Sequence, residues 1–80
     1  MSVKVLYVPF SQELTTEDNK QYTGYGIRAL RGAGERWECA AEVSDISCSM
    51  AFVRELAQRC TRMELAPMHL LDVVEDAIAE

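Results

Sequence analysis

Few side chains in this 80-residue chain can serve as ligands, bases or nucleophiles: one histidine, His69, and three cysteines, Cys39, Cys48 and Cys60. Imidazole and thiolate are ligands zinc favours, but the intervals among these four residues match no zinc-binding spacing. His69 sits one turn before Asp72 and near a helix start, an arrangement suited to acid–base work. A general base also needs a nucleophile or a cleft beside it, which a fold this small barely offers, so a solvated or capping histidine is the plainer reading. Cys48 also falls near a helix start, but no basic neighbour in sequence supports its activation as a nucleophile. Gly24-Tyr25-Gly26 lies inside a strand and opens no helix, which excludes a dinucleotide fingerprint. No catalytic residue, metal ligand or cofactor site is expected, and the chain is read as a non-enzyme.

Charge is the other source of chemistry. The formal net charge is -5. Acids and bases balance as far as Arg62, after which Glu64, Asp72, Glu75, Asp76 and Glu80 occur with no lysine or arginine. Phosphate binding requires a clustered positive footprint, so nucleic acid is not an expected partner. A protein partner of unidentified kind fits better, and the candidate contact residues are Asp72, Glu75, Asp76 and Glu80 with His69 beside them. Arg28, Arg31 and Arg36 gather near a predicted hairpin and form a candidate counter-patch on a second copy, which would close as a two-fold homodimer. A second candidate surface is the open sheet face around Tyr7, Gly24, Gly26 and Ala40, where small residues flank an aromatic ring.

These residues must be positioned by one small domain spanning residues 1–80, with a β-meander over 1–46 and a helical hairpin over 47–80. The length suits one compact core. No apolar run is long enough to cross a bilayer, no basic-then-apolar leader opens the chain, and an odd cysteine count suits a reducing compartment, so a cytoplasmic protein without membrane contact is expected.

Alternation places strands before Ser47. A two-residue turn at Asp18-Asn19 pairs Phe10 with Ile27 and Val8 with Ala29, and a turn at Gly32-Ala33-Gly34 pairs Ala29 with Trp37 and Ile27 with Cys39. The inward face then reads Leu6, Val8, Phe10 and Leu14, then Tyr25, Ile27 and Ala29, then Trp37, Cys39, Ala41 and Val43. The outward face carries Tyr7, the two glycines, and Arg28 opposite Glu38, and its middle is bare. Beyond Ser47 the period lengthens to that of a helix. Phe52, Val53, Leu56, Ala57, Cys60 and Met63 share one arc, Ser47 or Ser49 caps the start, and Pro67 opens a second helix with Leu70, Leu71, Val73, Val74, Ala77 and Ile78 inward. The predicted fold is α+β, a three-stranded antiparallel meander with two C-terminal helices packed on one face. Its single interior should bring Trp37, Ile27, Leu56 and Val74 together, and a contact role for the remaining surfaces depends on that convergence.

Tyr25-Gly26-Ile27, Asp45-Ile46-Ser47 and the run from Leu65-Ala66-Pro67-Met68-His69 to Asp72-Val73-Val74-Glu75-Asp76 resemble a family of short uncharacterised proteins from clostridial-type bacteria that carry a domain-of-unknown-function label. The resemblance covers nearly the whole chain and implies a bacterial cytosolic protein to which no catalytic residue can be carried over. Similar sequences often place serine before the proline; Ala66 here removes that side-chain cap. The leading expectation is a non-enzymatic adapter or regulator that binds another protein through the acidic helix or the open sheet face. One alternative is a phage or mobile-element inhibitor of a nucleic-acid-binding host protein; another is a small metal- or thiol-dependent enzyme.

Overall fold

The computed structural model describes residues 4–79. Three strands, β1 (Val5–Thr15), β2 (Gln21–Ala33) and β3 (Arg36–Ser47), form an antiparallel meander in the order β1-β2-β3. Two helices follow, α1 (Met50–Arg62) and α2 (Leu70–Ala79), with a 3-10 turn at Pro67–His69 leading into the second. This is the α+β architecture expected.

The register of β1 differs from expectation by one residue, and the cause is its turn. Asn19 N–H donates to the Thr16 carbonyl (3.0 Å), Thr16 N–H donates to the Lys20 carbonyl (2.9 Å), and Asn19 takes a left-handed φ of 62°. The loop is therefore three residues, Glu17-Asp18-Asn19, closed by a left-handed residue that asparagine tolerates. Tyr7 pairs with Ala29 and Pro9 with Ile27. A slip of one residue turns a whole strand over. Tyr7 thus lies buried on the helix side, 4% exposed, while Leu6, Val8, Phe10 and Leu14 move to the outer face and remain half-buried there.

On β3 two departures cancel. The second turn is Gly34-Glu35, with Gly34 at φ 66°, so Gly32 pairs with Trp37 and Leu30 with Cys39. Trp37 and Cys39 are consequently exposed on the outer face, not inside. An irregularity between Ala29 and Leu30 then lets β3 gain one residue at Ala40, after which Ala29 pairs with Ala41 and Ile27 with Val43. The extra residue restores the expected inward face at Ala41 and Val43, and a second irregularity between Ile27 and Tyr25, with Asp45 at φ 52°, precedes the buried Ile46.

The interior gathers Tyr7, Ile27, Ala29, Ile46, Val53, Leu56, Ala57, Cys60, Leu70 and Val74. Ile27, Leu56 and Val74 meet there as predicted; Trp37, at 49% exposure, does not, so the convergence on which a contact role was made to depend fails and any such role must rest on the observed surfaces instead. Both helical stripes are narrower than the sequence implied, leaving Phe52, Met63, Leu71 and Ile78 at the rim. Ser49 caps α1 by accepting from Phe52 N–H (3.3 Å), and Glu64 at φ 53° ends it. The helix also seals the free edge of β1: Tyr7 N–H donates to Thr61 Oγ1 (3.0 Å), which occupies a backbone donor that an edge strand would otherwise present to solvent. The Tyr7 hydroxyl donates to the Leu65 carbonyl just beyond α1, so one side chain ties strand, helix end and connection together.

Candidate interaction surface

The outer sheet face has no helix over it. Because of the β1 and β3 registers, it collects Leu6, Val8 and Phe10 from β1, Leu30 from β2, and Trp37 and Cys39 from β3. Leu6 lies opposite Leu30, and Leu30 opposite Cys39, so these three cross the sheet in one row. Trp37 stands beside that row over Gly32: a Cβ at Gly32 would lie 3.2 Å from its ring. The absence of a side chain there lets the indole lie close to the backbone with its other face open. A half-exposed tryptophan among aliphatic neighbours is the composition of an interface anchor.

The middle of the face, expected to be bare, is floored by side chains that lean over the glycines. A Cβ at Gly26 would come within 2.8 Å of the Phe10 ring, and one at Gly24 within 2.8 Å of Leu14 and 2.9 Å of Asp45. The Arg28 guanidinium lies 4.5 Å from the Phe10 centroid and is bound to Glu42, with Nη2 2.6 Å and Nε 2.7 Å from Oε1. The expected partner Glu38 faces Arg31 instead. The three arginines are thus split. Arg28 is engaged on the outer face, while Arg31 and Arg36 are exposed near the Gly34-Glu35 turn.

Of the other sequence candidates, Tyr7 is removed from any surface role by burial, which also holds its phenol pKa above the ordinary tyrosine value, with the nearby Cys60 adding to the effect. His69 and Asp72 approach to 4.0 Å on an exposed flank. Glu75 and Asp76 are exposed and make no ion pair among the described residues; Glu80 lies outside them. Cys60 is buried, as expected, and burial raises its thiol pKa. Cys48, like Cys39, is exposed. Among the described residues no three His, Cys, Asp or Glu side chains gather as a metal site.

Sequence reasoning missed Leu6, Val8, Leu30 and Trp37 as surface residues. For Leu6 and Val8 the one available signal was Asn19, whose preference for a left-handed φ permits the three-residue loop as well as the two-residue one.

A family model described as a family of unknown function, DUF6514, matches residues 2–80. The chain belongs to that family. No curated protein and no solved structure matches it. The segments that carried the resemblance all lie within the matched span, so this DUF6514 chain offers its own surfaces as the guide to function. No helix among its described residues is long and apolar enough to cross a membrane.

Proposed function

We propose that this DUF6514 chain is a non-enzymatic binding module, an adapter or regulator, that docks a protein on its outer sheet face. The observation that carries the reading is the exposed Trp37 beside the Leu6–Leu30–Cys39 row, on a face that no helix among the described residues covers. Apolar side chains crossing an open antiparallel sheet are the unusual feature here, because such faces normally turn polar residues to water. The acidic stripe of α2 supports a contact role less well, since Asp72, Glu75 and Asp76 are arrayed as a solvated helix face would be. Exposed thiols at Cys39 and Cys48 suit work in the reducing cytoplasm.

A photo-crosslinking residue placed at Leu30, compared with one at Asp76, tests the reading in cells. A discrete protein adduct from position 30 and none from position 76 is the expected result. Adducts from position 76 alone would move the function to the helix, and adducts from neither would remove it.

A further inference from the structure

We propose that the protein seated on the outer face is a second copy of this chain, docked face to face with the first. The inference rests on the reading of that face as a docking surface and names its occupant.

Area is the first argument. The chain exposes 5868 Å². A compact monomer of 9.0 kDa is expected to expose about 4,900 Å². The excess, about 1,000 Å², is comparable to the roughly 800 Å² that each partner contributes to a standard stable interface. The radius of gyration tells the same story: 13.5 Å, against about 11.6 Å for a compact domain of this length.

Shape is the second. The chain is a slab of 49 × 29 × 19 Å, one layer of helices on one layer of strands. Two such slabs stacked sheet on sheet, with the sheets about 10 Å apart, make a four-layer body of more even dimensions whose apolar faces are both inside.

Charge does not oppose the stacking. Glu13, Arg31, Arg36 and Glu38 share the phase of Tyr7 and Ala29 and so turn to the helix side of the sheet, away from the outer face. Arg28 and Glu42 at the centre of that face are already paired, so covering them strands no lone charge.

Trp37, the only tryptophan, reports on the contact directly. Sedimentation and tryptophan emission across a micromolar to submillimolar dilution series should show a species of twice the 9.0 kDa chain mass. It should dissociate on dilution, with a parallel red shift of the emission. Leu30→Glu should weaken the dimer by about tenfold or more, since it buries an uncompensated charge. Trp37→Ala, read by sedimentation, should weaken it as well. A dimer indifferent to Leu30→Glu and Trp37→Ala, or a monomer at every concentration, would overturn the proposal. In the last case binding of the apolar dye bis-ANS separates the two ideas. Dye bound by wild type and lost in Leu30→Glu keeps the docking face while discarding the copy, and equal binding in both discards the face too.

Discussion

Replacing Tyr7 by Phe is the sharpest test of the β1 register. The ring stays in its pocket, 4% exposed in the native chain, and only the hydroxyl that donates to the Leu65 carbonyl is lost. A hydrogen bond of this kind contributes about 0.5–1.5 kcal/mol net, and leaving a desolvated carbonyl without its donor raises the loss toward 2 kcal/mol. Total stability for 80 residues is on the order of 4–12 kcal/mol, so the change is readily measured. With a urea m-value of about 1 kcal/mol/M for a domain of this size, the unfolding midpoint should fall by roughly 1–2 M. The assay is equilibrium urea unfolding followed by far-UV circular dichroism at low micromolar protein. Had the first turn held two residues, Tyr7 would stand on the open face and Tyr7→Phe would act within about 0.5 kcal/mol, as surface substitutions do. A loss below that limit refutes the register, and with it the outer face assembled from Leu6, Val8 and Phe10.

Gly26→Ala should destabilise by about 1–3 kcal/mol in the same assay, because its Cβ would press on the Val43 carbonyl and the Phe10 ring, and an unchanged midpoint would mean the ring is elsewhere. Iodoacetamide at neutral pH should label Cys39 and Cys48 quickly and Cys60 only on unfolding; protection of Cys39 in dilute protein would put β3 back in the register that buries it. The helix turn at Pro67 starts without a side-chain cap, so Ala66→Ser should raise stability by about 0.5–1 kcal/mol, and no gain would show that another group already satisfies those N–H donors. Alkaline titration should expose the buried phenol and thiol. Both pKa values are raised in the folded chain, so their contribution is complete below the ordinary values of 10.0 and 9.0 and is lost as pH climbs through those values toward the folded ones. Stability that stays flat across that alkaline range would place Tyr7 and Cys60 in water.

Element types and helix faces were legible in the sequence because period and capping carry them: Ser49 before the helical run, Pro67 at the next start, and Leu56, Cys60, Leu70 and Val74 at helical spacing. The faces of the strands were less so. Alternation in β1 is ambiguous, since Val5, Tyr7 and Pro9 can be buried as readily as Leu6, Val8 and Phe10, and the decision passed to a turn that accepts either of two lengths. The face of Trp37 depended on a second turn and on a bulge at Ala40, a small residue that carries no local signature of the irregularity. Hydrophobicity pointed Trp37 inward, but pairing geometry overruled it. The open face was therefore assembled from the wrong residues: Tyr7 was assigned to it and Leu6, Val8, Leu30 and Trp37 were not.

The additional residue at Ala40 separates Arg36–Cys39 from the stretch holding Ala41 and Val43, and the two keep independent phase. Substitutions between Arg36 and Cys39 can reshape what the sheet offers to water without disturbing the interior beneath Ala41, Val43 and Ile46. Deleting that one residue would rotate Ala41 and Val43 outward together, while Ile46 lies beyond a second irregularity at Asp45. The side chains shown to water at Trp37 and Cys39 and the packing beneath Ala41 and Val43 are thereby set by adjoining segments of a single strand.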